Sequence, residues 1–144
     1  MFSSLFLSKN QKSVKKWTQE HAKIVSLATD IIEQYAQNNI DKVRKNLKQL
    51  HTVAVAHLMD EDIKLFELLN ESSSLDDDIE KLATEFRSSF RGIKVALINF
   101  LKKYSRDDSP IDDQFIDAFK ELVGVLGERI AFEEENLYSK LDTR

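Results

Sequence analysis

The sequence predicts an all-α protein, an up-down-up-down antiparallel four-helix bundle. Three observations carry this reading. Among 144 residues there are only three glycines and one proline, too few for the many turns of an all-β fold. Apolar residues recur at helical spacing through four long segments, and no stretch alternates as a half-buried strand would. The breaks between the segments are short, so consecutive helices must fold back on one another. The length suits one domain, taken as residues 1–144 with 1–12 as an N-terminal extension.

The first segment runs from about Ser13 to Gln37 and stops at Asn38-Asn39, residues that favour left-handed caps and turns. The second runs from about Ile40 to Leu69 and ends at Asn70-Glu71-Ser72-Ser73-Ser74. The third starts after Ser74, which suits an N-cap, and Asp76, Asp77 and Asp78 complement the helix dipole in its first turn. It ends near Tyr104. The fourth opens at Ser109-Pro110, with serine as N-cap and proline at the first helical position, and runs to about Leu141.

Composition narrows the function. Without cysteine there is no disulfide, thiolate metal site or thiol nucleophile. A net charge of −4 argues against a general attraction to nucleic acid or anionic lipid. No run approaches the length of a membrane span. Met1 to Leu7 is apolar but lacks the basic start and cleavage site of a secretory signal; it is read as a cover for one end of the bundle, and the protein as cytoplasmic. There is no P-loop, dinucleotide fingerprint or serine-nucleophile motif, so an enzyme is not expected.

Each residue advances about 100° around an α-helix. With His21 as reference, Val14, Trp17, Ile24, Val25, Ala28, Ile32 and Tyr35 fall on its side, so His21 is expected in the core. In the second helix His57 shares a face with Leu50, Ala54 and Leu68. Glu61 follows one turn later, and this H-x-x-x-E spacing sets an imidazole beside a carboxylate. His51 lies to the side. The third stripe, centred on Phe86, runs from Ile79 to Tyr104 and holds no ligand. The fourth contains Phe115, Phe119, Leu122, Leu126, Glu133 and Leu137, with Arg129 beside Glu133.

Charges on an apolar face must be paired, bound to metal or open to water. Two readings fit the inward set. In one, His21, His57, Glu61 and Glu133 surround a cation, and their ligand types suit iron, zinc or manganese. In the other, Arg129 pairs with Glu133 and with Glu61 across the core, and the imidazoles hydrogen-bond to the same carboxylates without metal.

The stretches Glu20-His21, His57-Leu-Met-Asp-Glu61-Asp-Ile-Lys-Leu-Phe66 and Arg129-Ile-Ala-Phe-Glu133-Glu-Glu-Asn-Leu-Tyr138 resemble the hemerythrin-like cation-binding domain. That resemblance implies a four-helix bundle with a non-haem di-iron centre serving oxygen binding, oxygen or redox sensing, or iron handling. It implies metal-ligand roles for His21, His57, Glu61 and Glu133. Two positions depart from it. Phe86 follows Glu85 where the family usually has histidine, and Arg129 stands where a histidine usually precedes the acid by four residues. With three histidines in all, a five-histidine iron pair cannot be assembled. The expectation is therefore a degenerate site holding one or two non-haem iron ions, or a metal-free one. The segment Leu126-Gly-Glu-Arg129-Ile-Ala-Phe-Glu133 also resembles the corresponding helix of bacterial anti-sigma regulators. That alternative implies a metal-free bundle with a protein partner.

Overall fold

The computed structural model describes residues 9–70 and 77–138. Its elements are four α-helices, α1 (Lys9–Ala36), α2 (Ile40–Asn70), α3 (Asp77–Tyr104) and α4 (Asp113–Phe132), followed by a π-helical turn, Glu133–Tyr138. They form the expected all-α four-helix bundle. The contacts between α1 and α2 run in opposite senses along the two helices: Trp17 meets Asp60, His21 meets His57 and Asp30 meets Asn46. His21 on α1 likewise pairs with Glu134, while Tyr35 at the other end of α1 pairs with Asp113.

The ends of α1 and α2 follow their sequence signals. Asn38 adopts φ 60°, the left-handed geometry its short polar side chain tolerates. The Asn39 amide donates to the Gln34 carbonyl and the Asn38 amide to that of Tyr35, each at 2.9 Å; together they satisfy the orphan carbonyls of the last turn. Within the described residues α1 spans Lys9–Ala36, so helix is already present ahead of the Ser13 start read from the sequence. Met1–Leu7 and the expected Ser74 cap lie outside the described residues.

The start of α4 differs from expectation. Asp112, not Ser109, is its N-cap, with extended backbone and a side chain that accepts from the Phe115 amide at 3.0 Å. Ser109 is instead committed to the preceding turn, where its hydroxyl donates to the Lys103 carbonyl. A carboxylate three residues before Phe115 satisfies an orphan amide and complements the dipole, so the helix starts there rather than at Pro110.

The core runs along the bundle from an aromatic layer to a polar one. Phe100, Tyr104, Phe115 and Phe119 stack or pack edge-on with centroids 4.6–5.8 Å apart. Ile24, Leu27, Ala28 and Ile31 of α1 and Val43, Leu47, Leu50 and Ala54 of α2 fill the middle. The α1 stripe is centred on the Ile31 side of His21 rather than on His21 itself. As a consequence Val25, expected inward, is 49% exposed, while Leu27 and Ile31 are buried. His21 thus sits at the edge of the apolar stripe, where it can reach α2 and the π turn. No helix of the described residues is long and apolar enough to cross a membrane.

Candidate metal centre

The end of the bundle opposite the aromatic layer gathers five ionisable side chains. His21, His57, Glu61, Arg129 and Glu133 each expose 3% or less of their surface. The 3.6-residue repeat places His57 and Glu61 on one face of α2, and Arg129 and Glu133 on one face of α4 and its continuation. One ligand atom from each of His21, His57, Glu61 and Glu133 lies within 4.8 Å of the others. All four residues marked as candidate ligands by sequence therefore converge. Arg129 joins them, whereas the Phe86 side chain lies outside the described residues. His51 stays half-buried to the side.

The inner faces of the two imidazoles meet, with Nε2 to Nε2 at 3.1 Å. Their outer nitrogens are each held by a carboxylate: His57 Nδ1 lies 2.8 Å from Glu20 Oε1, and His21 Nδ1 lies 3.2 Å from Glu134 Oε1. An ionised carboxylate only accepts, so each Nδ1 carries the hydrogen. In neutral rings both Nε2 lone pairs then point inward at one another. A proton or a cation would resolve that opposition, and the Tyr138 hydroxyl, 3.3 Å from His21 Nε2, eases it on one side.

The carboxylates divide their oxygens between two tasks. Arg129 donates from Nε to Glu133 Oε1 at 3.0 Å and from Nη2 to Glu61 Oε1 at 3.2 Å. The Oε2 atoms face the imidazoles, Glu61 Oε2 at 3.4 Å from His57 Nε2 and Glu133 Oε2 at 3.6 Å from His21 Nε2. The Tyr138 hydroxyl lies between these same oxygens, 2.5 Å from Glu61 Oε2 and 2.7 Å from Glu133 Oε2. Its ring stacks on His21 and leans on Trp17. Trp17 in turn donates to Asp60 at 2.9 Å.

The electrostatics express crowding of like charge in a dry site. Burial opposes ionisation of Glu61, but hydrogen bonds involving Glu133, His57 and Tyr138 and the charge of His57 hold its carboxyl below the usual range. Burial, then the neighbouring Glu61, pushes Glu133 upward. The pair thus splits as two close carboxyls do, one taking the charge and the other leaning towards the proton. Burial disfavours the charged form of His57, yet Glu61, Glu20 and Glu133 together raise its pKa. Burial and the two carboxylates push the Tyr138 phenol far above its ordinary range.

The donor set fits a divalent cation. With metal–ligand distances of about 2.0–2.2 Å, neighbouring donors around a tetrahedral ion stand about 3.3–3.6 Å apart, close to three of the inward separations, 3.1, 3.4 and 3.6 Å, within a set whose atoms all lie inside 4.8 Å of one another. Metal-binding histidines characteristically anchor their second nitrogen on a carboxylate or carbonyl, as Glu20 and Glu134 do here.

Three participants escaped sequence reading. Glu20 faces α2 rather than its neighbour His21. Glu134 follows Glu133 by one residue and was hidden in an acidic run. Tyr138 lies about 140° from Glu133 on an α-helix; the π-helical turn, with i→i+5 bonding, brings it back over Glu133. Local α-periodicity carried no signal for that rotation.

A family described as the hemerythrin HHE cation binding domain matches residues 12–141. No curated protein and no solved structure matches the chain.

Proposed function

The chain belongs to the hemerythrin HHE cation-binding family, and from that premise we propose that it is a metal-binding module holding non-haem iron for oxygen or redox sensing, not an enzyme. The observation that carries the reading is the pair of imidazoles whose Nδ1 hydrogens are tied to Glu20 and Glu134, so that both Nε2 atoms face Glu61 and Glu133 Oε2. Ligand type favours iron, zinc or manganese over softer or harder ions. Bound iron supplies a one-electron couple. Leu58 and Trp17 are buried, and the dry surroundings strengthen each charge contact. Tyr138 shares the two Oε2 atoms, so site occupancy and the position of the π turn are linked, which gives a sensing site an output.

A second reading has its own support. Among the described residues no buried side-chain nitrogen or oxygen lacks a hydrogen-bond partner, so the cluster is self-consistent as an ion network. On that reading the bundle serves as a metal-free regulator that binds a protein partner, in the manner of anti-sigma factors. Metal content decides between them. Protein purified without chelators and incubated anaerobically with Fe²⁺ is expected to retain iron through desalting; loss of iron, zinc and manganese alike would leave only the regulator.

A further inference from the structure

Building on the cation-binding reading above, we infer that the site takes a single metal ion, because the Arg129 guanidinium stands where a second would lie. Two-metal centres hold their ions about 3.5–4 Å apart and share ligands between them. Here the carboxylates that would be shared, Glu61 and Glu133, come from different helices and are already bridged. Arg129 contacts Oε1 of each, at 3.2 and 3.0 Å, and is itself buried. A planar guanidinium has donors in a fixed fork and cannot be deprotonated. It therefore occupies those lone pairs permanently and carries the positive charge a second cation would bring.

What remains is one coordination set on the opposite side of the carboxylates, where the group in contact is the neutral Tyr138 hydroxyl, which brings no repelling charge. Glu61 Oε2, Glu133 Oε2 and the two Nε2 atoms face one another. Among the described residues this is the one group of three or more histidine and acidic side chains close enough to hold an ion. A second dication against the Oε1 atoms would have to displace the guanidinium or sit in contact with it, which like charge forbids in a dry site. Charge points the same way: even with both carboxylates ionised, Glu61 and Glu133 bring two negative charges against one positive on Arg129, so one dication already leaves the set net positive and a second would add two more charges in a dry site.

The test is a count. Metal-free protein is titrated anaerobically with Fe²⁺, and bound metal per chain is read by elemental analysis and native mass spectrometry. Saturation at one ion is expected, and after oxidation an electron paramagnetic resonance signal of a magnetically isolated high-spin ferric ion. Two ions per chain, or an exchange-coupled pair, would overturn the inference while leaving the cation-binding reading intact. No retained ion would overturn both. Arg129→His frees both Oε1 atoms and adds a neutral donor, and its stoichiometry is expected to rise from one to two; a folded variant that stays at one refutes the role given to Arg129. The wild-type count decides whether or not that variant folds.

Discussion

Replacing Arg129 by methionine, of similar length and without charge, isolates what the guanidinium does for the metal-free fold. Arg129 is 3% exposed and bonded to Glu61 and Glu133, which are 0% and 1% exposed. Removing one partner of a buried ion pair costs about 3–5 kcal/mol, since the remaining charge is stranded. The variant has an escape. Glu133 already leans towards its protonated form, from burial and then from Glu61. Protonating a carboxyl of unfolded pKa about 4.3 at pH 7 costs about 3.7 kcal/mol, at about 1.36 kcal/mol per pH unit, which caps the loss. The expected destabilisation is therefore about 3–4 kcal/mol, or roughly 10 °C in Tm. It should depend on pH in a definite direction. A carboxyl whose folded pKa is raised is fully compatible with folding below its unfolded pKa, and stability falls as pH climbs towards the folded value. At pH 5 the protonation cost is only about 1 kcal/mol, so the deficit of the variant should shrink to near that. Urea unfolding followed by circular dichroism in EDTA, at pH 7 and pH 5, measures both. Equal midpoints for wild type and variant at pH 7, or a deficit that does not narrow at pH 5, would refute the pairing.

Other substitutions probe separate parts of the cluster and fold. Tyr138→Phe keeps the ring against Trp17 and His21 but removes the hydroxyl between the Oε2 atoms; it should cost about 1–3 kcal/mol in urea unfolding of metal-free protein. Glu20→Gln and Glu134→Gln leave the inner ligands untouched but weaken the anchors of His57 and His21. Each should lower metal affinity about 10–100-fold in competition with a chromophoric chelator. Asp112→Ala should lose about 1 kcal/mol through the α4 cap. An equal stability for Asp112→Ala and wild type would put the helix start elsewhere.

Helix number and type were legible because four long stretches repeat apolar residues with one period and are separated by few residues. Asn38 marked its turn correctly because only a few side chains accept φ 60°. Ser109-Pro110 misled, since serine, proline and aspartate all carry start signals within four residues, and Ser109 commits its hydroxyl to the Lys103 carbonyl while Asp112 caps the Phe115 amide. The convergence of His21, His57, Glu61, Arg129 and Glu133 was readable from i,i+4 spacing on inward faces. The partners that orient them were not. Glu20 acts across the helix interface on His57, and that choice depends on the rotation of α1 about its axis, the same rotation that exposes Val25. Tyr138 required a change of helical period that no local pattern announces.

Two i,i+4 pairs give the site its shape. His57-x-x-x-Glu61 and Arg129-x-x-x-Glu133 present the same geometry from α2 and from α4. An imidazole at position 129 would leave both Oε1 atoms as acceptors in need of a cation. Arg129 meets that need with covalently attached charge, at 3.0 and 3.2 Å. A buried carboxylate pair is expensive unless its lone pairs are satisfied, so the residue at position 129 must supply both positive charge and hydrogen-bond reach to two helices. Lysine offers one compact charge without the fork; arginine offers both. The same physics that keeps the carboxylates folded in place also leaves their Oε2 atoms aimed at His21 and His57.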